Sequence, residues 1–142
     1  MPLVLISLAV IILDRVTKIL VQSHLAEGES IPVVPGVMSL TYILNPGAAF
    51  GMHQRLFFIL MTVAVIAVLI YFWRRIKEEA IVVQLGAAFF LGGAVGNLID
   101  RIETGFVIDF FDFYFWPIFN VADIFICVGV VMDECRKTEP QK

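Results

Sequence analysis

The sequence has few charged residues and no cluster of basic ones. Only 16% of its 142 residues are charged, whereas 60% are hydrophobic. Average globular chains contain about 25% charged and about 45–50% apolar residues. Mean hydropathy is +0.92. A soluble domain is therefore not expected, and the absence of a block of Lys and Arg predicts no nucleic-acid partner.

The motifs of several common chemistries are also missing. Cys127 and Cys135 lie about two turns apart on one apolar helical segment, too far to form a disulfide. There is no HExxH motif, and His24 and His53 are isolated, so no metal site is predicted. No GxSxG nucleophile motif is present, and the glycine-rich stretch lies inside an apolar run rather than in a phosphate-binding loop. The sequence predicts no cofactor.

Four apolar runs of about bilayer length dominate the sequence. They are residues 3–21, 56–73, 80–99 and 116–132. Buried core helices are the alternative, but so short a chain leaves nothing to cover four of them. We predict an all-α membrane protein, a four-transmembrane-helix bundle formed by residues 1–142 as a single domain. Gly92 and Gly96 in the third run predict a helix-packing face.

The placement of Lys and Arg predicts the orientation of these spans. Basic residues follow the second and fourth spans, whereas residues 22–54 contain none and the loop after the third span contains only Arg101. The cytoplasmic basic residues are Arg74, Arg75, Lys77, Arg136, Lys137 and Lys142. Both termini are therefore predicted to be cytoplasmic, and the first span is predicted to remain uncleaved. Segments 22–55 and 100–116 are predicted to lie outside.

The two outer segments differ in composition. Residues 30–51 contain β-branched residues, prolines and glycines, which predict short strands and turns. Residues 106–119 are rich in Phe and include Tyr114 and Trp116, which predicts an aromatic loop in the membrane interface. The aromatic rings alone do not account for the carboxylates within that loop.

Carboxylates at one membrane level are the main functional signal. Those predicted to lie near the outer face are Asp14, Asp100, Asp109 and Asp123, the last about 8 Å inside its span. Two neighbouring carboxylates share a proton, so one can activate water while the other hydrogen-bonds a carbonyl. The residues alone leave three alternatives open: an aspartic peptidase, an ion or proton transporter, or a structural pairing with Arg101.

Four sequence blocks resemble the bacterial lipoprotein signal peptidases (signal peptidase II), a family of membrane aspartic peptidases. The blocks are DRVTK at 14–18, NPGAAFG at 45–51, GGAVGNLIDR at 92–101 with VIDFFD at 107–112, and FNVAD at 119–123. They occur in this order along essentially the whole chain. The resemblance implies that the catalytic aspartates are Asp109 and Asp123.

The resemblance also implies supporting residues. Those expected to contact the substrate or hold the catalytic carboxylates are Asn45, Asn97, Arg101 and Asn120. Those expected to be structural polar residues are Asp14, Lys18 and Asp100. Asp14 and Lys18 share a helix face at i,i+4, as do Asn97 and Arg101. Asp100 is expected to orient the helix end and Arg101.

The implied reaction is hydrolysis of prolipoprotein signal peptides just before a cysteine that already carries diacylglycerol. The implied location is the outer face of the bacterial cytoplasmic (inner) membrane, with membrane lipids around a monomeric, multi-pass hydrolase. The alternative function is a small ion- or proton-coupled transporter that uses the intramembrane carboxylates.

Overall fold

A computed structural model of the protein describes residues 2–47 and 51–137. Its elements are α1 (Pro2–His24), β1 (Ser30–Val34), β2 (Met38–Asn45), α2 (Gly51–Tyr71), α3 (Trp73–Ile76), α4 (Ile81–Glu103), β3 (Val107–Asp112) and α5 (Val121–Lys137). The four long helices overlap the four apolar runs but differ from them at their ends. Residues 48–50 of the NPGAAFG block and Lys142 lie outside the described residues.

Helix α4 is the centre of the bundle because its small residues let neighbouring helices approach. It packs against α1, α2 and α5. A Cβ added to Gly92 would lie 2.8 Å from the Ser7 carbonyl oxygen of α1, and one added to Gly93 would lie 2.5 Å from the Ala122 carbonyl oxygen of α5. The packing face predicted around Gly92 is confirmed, and α4 has a second such face toward α5.

The strands form one antiparallel sheet in the order β1-β2-β3. Gly36 has a φ of 74° in the β1–β2 connection, a left-handed conformation that favours glycine. The strand at 107–112 corrects the prediction that 106–119 is entirely an aromatic loop. The backbone N–H and C=O groups on the edge of β2 that faces away from β1 need hydrogen-bond partners. Strand β3 supplies them, with Leu44 opposite Ile108. The strands predicted within residues 30–51 are therefore present as β1 and β2, and only the third strand was not predicted.

A small apolar core fixes the sheet to the bundle. Val21 and Leu25 at the end of α1 pack with Ile108 and Phe110 of β3 and with Val121 at the start of α5. Ile108 is 1% exposed. Since β3 and the first turn of α5 share this core, their neighbouring polar side chains are held at fixed positions.

The sequence predicted that the fourth span begins at residue 116. Helix α5 begins instead at Val121. Residues 113–119 instead form a turn that exposes Phe115 and Trp116. Pro117 interrupts this segment, and Asn120 supplies the cap of the helix. Consequently Asp123 lies in the first turn of α5 and not more than one turn inside the helix.

Two helices in the described residues are long and apolar enough to cross a membrane. They are His53–Tyr71 and Ile81–Glu103, with mean hydropathies of 2.1 and 1.7. Helix α5 has only 17 residues. Helix α1 carries three charged residues, and Asp14 and Lys18 among them are fully buried inside the protein.

Candidate active site

Two carboxylates from different elements meet at the top of the bundle. Asp109 comes from β3 and is 2% exposed, whereas Asp123 comes from the first turn of α5 and is half-buried. Asn120 joins them: its Nδ2 donates to Asp109 Oδ1 at 2.8 Å, and its backbone N–H donates to Asp123 Oδ2 at 3.2 Å. The sequence-predicted pair of aspartates is therefore brought together around one asparagine.

The start of α5 determines where the Asp123 carboxylate points. The backbone N–H of Asp123 donates to Asn120 Oδ1 at 2.9 Å, while the Asp123 carboxylate accepts from the Asn120 backbone. This reciprocal arrangement is a capping box, which satisfies two helix-terminal donors at once. A carboxylate in the first turn is also stabilised by the helix dipole. Asp123 is thus held by the structure that begins its own helix.

Two further asparagines complete the set of hydrogen bonds to the carboxylates. Asn45 Nδ2 donates to Asp109 Oδ2 at 2.9 Å, and Asn97 Nδ2 donates to Asp123 Oδ1 at 2.9 Å. Asn97 Oδ1 in turn accepts from Asn120 Nδ2 at 3.0 Å. Each of the four carboxylate oxygens therefore receives a hydrogen bond, and the three predicted asparagines all lie at the site.

Burial gives Asp109 an unusual ionisation. Loss of solvation raises the pKa of its carboxyl group to about 6, and the nearby charge of Asp123 acts in the same direction. The hydrogen bonds from Asn45 and Asn120 oppose this shift because they favour the charged carboxylate. A carboxyl group with such a pKa holds its proton more readily than an ordinary aspartate, as acid–base catalysis by a carboxyl pair requires.

A buried ionic cluster lies directly behind this pair. The ammonium of Lys18 is 2.8 Å from Asp14 Oδ2 and 2.6 Å from Asp100 Oδ2, and all three side chains are fully buried. Arg15 adds a bond of 2.5 Å to Asp100 Oδ1. Paired in this way, the charges avoid the cost of isolated burial. The predicted contact between Asp14 and Lys18 is present.

Both aspartates of this cluster also hold the elements that carry the pair Asp109 and Asp123. Asp14 Oδ1 accepts from the backbone N–H of Ala122 at 2.9 Å, which caps α5 from another helix. Asp100 Oδ2 accepts from the backbone N–H of Ile108 at 3.1 Å and so fixes the start of β3. The oxygens of Asp100 bond to Arg15, Lys18 and this N–H group, and no ion pair within the described residues joins Asp100 to Arg101.

Arg101 instead faces a cavity that opens beside Asp123. The cavity has a volume of about 290 Å³. Its polar lining comprises Thr62, Asn97, Arg101 and Asp123, and its apolar lining is Met61, Val65, Phe90, Ala94 and Ile126. The Arg101 guanidinium lies 5.6 Å from the centroid of the Phe58 ring. Within the described residues it forms no ion pair, so its donors remain available to a ligand.

Arg55 was not among the predicted site residues. Its Nε donates to the carbonyl oxygen of Arg101 at 3.2 Å, and its Nη2 donates to that of Ile102 at 3.1 Å. It therefore ties α2 to the end of α4 by satisfying terminal carbonyl groups. The position of Arg55 in the sequence could have indicated a role at the site, because this residue directly follows an outer segment without Lys or Arg.

The fold and the site define a helical bundle that places paired carboxylates beside an apolar cavity. A solved bacterial membrane enzyme, determined by the in meso method at 1.9 Å, has the same fold with a TM-score of 0.91. It is 31% identical in sequence, and the match covers 99% of this chain and 94% of that chain. A second such structure, at 2.3 Å, matches with a TM-score of 0.85.

The family follows from the sequence comparisons. The family described as "Signal peptidase (SPase) II" matches residues 6–133. The lipoprotein signal peptidase of Pelotomaculum thermopropionicum is 44% identical, over 93% of this chain and 88% of that protein. The lipoprotein signal peptidase of Caldanaerobacter subterraneus subsp. tengcongensis is 48% identical, over 87% and 86% respectively. The chain belongs to the signal peptidase II family, and it is a peptidase.

Proposed function

We propose that this protein is an aspartic endopeptidase that removes signal peptides from diacylglyceryl-modified prolipoproteins. The observation that carries the proposal is the pairing of buried Asp109 with cavity-facing Asp123 through Asn120. A cavity with apolar walls and a polar end suits a substrate whose apolar signal peptide precedes the bond to be cut. Family membership supports the substrate class.

In the proposed mechanism the two aspartates have different roles. Asp109, whose pKa is raised, holds the shared proton and donates a hydrogen bond to the scissile carbonyl oxygen. Asp123 takes a proton from water, and the resulting hydroxide attacks the carbonyl carbon. The tetrahedral intermediate then collapses as the C–N bond breaks and Asp123 passes the proton that it took from water to the leaving amine. Asn45, Asn97 and Asn120 keep both carboxylates oriented through these steps.

The direct test is a cleavage assay in detergent with purified protein. We expect release of the signal peptide from a diacylglyceryl-modified prolipoprotein and no release from the unmodified precursor. A transporter predicts the opposite behaviour, with ion or proton flux in proteoliposomes and no cleavage. Flux without cleavage would replace the proposal by the transport alternative.

We also infer that α1, α2, α4 and α5 all cross the cytoplasmic membrane of the bacterium. The outer surface of α1 is apolar, with Leu5 64% and Ile12 61% exposed, while Asp14 and Lys18 face inward as an ion pair. Lipid contact is therefore compatible with this helix despite its charges. The sheet and the carboxylate pair then lie at the outer face, and no second subunit is needed to complete the site.

Reporter fusions test this topology. A fusion after Arg75 should report the cytoplasm, because the basic residues that follow α2 remain on that side. A fusion near Gly36, in the β1–β2 connection, should report the outer side. A cytoplasmic signal from the Gly36 fusion would place the carboxylates in the wrong leaflet and contradict the topology.

Removing the Asn45 side chain should shift the pH dependence of cleavage. Activity should fall on the alkaline side as Asp109 loses its proton, near its pKa of about 6. The hydrogen bond from Asn45 lowers that pKa, so Asn45→Ala raises it and should move the alkaline limb of the kcat profile to higher pH. A limb that stays in place or moves to lower pH would assign the proton to another group.

Replacing Arg101 by Lys should reduce cleavage although the charge is kept. The planar guanidinium can hold two acceptors at once, whereas an ammonium cannot. Because Arg101 lines the cavity beside Asp123, we expect kcat/KM to fall at least about tenfold, the loss of one good hydrogen bond. Arg74→Lys, on the predicted cytoplasmic side, is the control and should cleave normally. Unchanged cleavage by Arg101→Lys would remove Arg101 from the substrate-binding site.

A further inference from the structure

We propose that Lys18 is a positioning residue that acts on Asp123 through the Asn97 side chain, beyond its part in the buried ionic cluster. This inference rests on the proposed peptidase function. Lys18 lies on α1, is 0% exposed and does not line the cavity beside Asp123. Its charge acts directly on the carboxylate pair by lowering the pKa of Asp109, and any other influence on the reaction must pass through its neighbours.

The three donors of the Lys18 ammonium have three acceptors. Two are the carboxylates of Asp14 and Asp100, at 2.8 and 2.6 Å. The third is Asn97 Oδ1, at 3.1 Å. An ion pair with the two carboxylates would neutralise the buried charge without the third contact. The bond to Asn97 is what links the ionic cluster on α1 to the amides that hold the carboxylate pair.

This third contact fixes the orientation of the Asn97 amide. Its oxygen accepts from Lys18 and from Asn120 Nδ2, so both of its lone-pair positions are used. The amide nitrogen must then point to Asp123 Oδ1, where it donates at 2.9 Å. A flipped amide would turn its NH2 group toward two other donors and its oxygen toward a carboxylate. Without Lys18 the preference for the observed orientation rests on Asn120 alone.

Lys18→Met should therefore lower kcat while leaving KM near the parent value. The variant replaces no residue of the cavity lining, but it releases the amide of one of them, Asn97, which orients Asp123. We expect a loss in kcat of about tenfold to a hundredfold, the range that small displacements of a catalytic group produce. A role confined to charge would appear in the melting temperature, in the folded yield and, through the pKa of Asp109, in the position of the alkaline limb of the pH profile. It would not lower kcat per folded enzyme at pH values below that limb.

A double-mutant cycle separates the two roles. If Lys18 acts through Asn97, then Lys18→Met in an Asn97→Ala background should reduce kcat by less than a further threefold. Arg15→Met is the matched control, because Arg15 also pairs with Asp100 but bonds to Glu103 rather than to Asn97. Its effect should multiply with that of Asn97→Ala. Multiplicative losses for Lys18→Met would overturn the inference.

The design also covers a folding failure. If Lys18→Met does not fold, Lys18→Met combined with Asp14→Asn removes one charge of each sign from the cluster and restores its balance. The double-mutant cycle of Lys18→Met and Asn97→Ala is then measured with Asp14→Asn present in all four proteins, so that Asp14→Asn alone is the reference. A parent protein that cleaves no lipid-modified precursor contradicts the proposed function, whereas cleavage with an uncoupled Lys18 contradicts this inference alone.

Discussion

Asp109→Asn and Asp123→Asn should each nearly abolish cleavage of the lipid-modified precursor while the protein still folds. Asparagine keeps the size and most of the polarity of aspartate, but it can neither hold the shared proton nor take one from water. The double variant should be only slightly worse than either single variant, because residues that act as one unit are not additive. The measurement is the cleavage rate per folded enzyme.

Asp112→Asn is the matched control for this experiment. Asp112 lies on the same strand as Asp109, but its carboxylate accepts from Thr41 Oγ1 at 3.0 Å and from the Tyr114 backbone N–H at 2.9 Å. It therefore stabilises the sheet and the turn that follows, and the variant should keep substantial activity. If Asp109→Asn cleaves at the parent rate while Asp100→Asn is folded and inactive, Asp100 takes the place of Asp109.

The helices could be predicted from the sequence because long apolar runs are typical of helices that face lipid or a protein core. Helix α1 was predicted at 3–21 and is observed at Pro2–His24. The start of α5 was predicted at residue 116 and not at Val121, because an apolar run continues through 116–120 while the chain there forms a turn. The pattern Asn120-x-x-Asp123, which resembles a capping box, is the local signal that places the boundary correctly.

The candidate site could be predicted only in part. The residues alone placed four carboxylates at one level but left a peptidase, a transporter and a structural pairing open. The family resemblance selected Asp109 and Asp123. The contact of Asp14 with the Ala122 backbone joins residues far apart in the chain, so no local pattern reveals it. The bond between Lys18 and Asn97 is equally non-local. Such contacts depend on how α1 packs on α4, which sequence spacing does not specify.

Gly96→Ala should destabilise the protein and reduce cleavage, although Ala is the better helix former. A Cβ on Gly96 would lie 2.5 Å from Asp14 Oδ2, so the carboxylate has to move. It cannot move freely, because its two oxygens bond to Lys18 and to the Ala122 backbone. Overpacking of this kind costs about 1–3 kcal/mol. The displaced carboxylate would also release the start of α5, which carries Asp123. Thermal unfolding in detergent and the cleavage rate per folded enzyme measure the two effects.

In the background of Asp14→Ala, the destabilisation by Gly96→Ala should disappear or change sign. The Cβ of residue 14 lies 3.4 Å from the position of the added methyl group, which is ordinary contact, and the clashing Oδ2 and Cγ atoms are then absent. Gly96→Ala should therefore be neutral or stabilising in that background, since Ala is favoured over Gly in a helix by about 1 kcal/mol. Equal destabilisation in both backgrounds would mean that Gly96 does not serve to admit the Asp14 carboxylate. A change of sign would show that the glycine on α4 is what allows an aspartate of α1 to reach the first turn of α5.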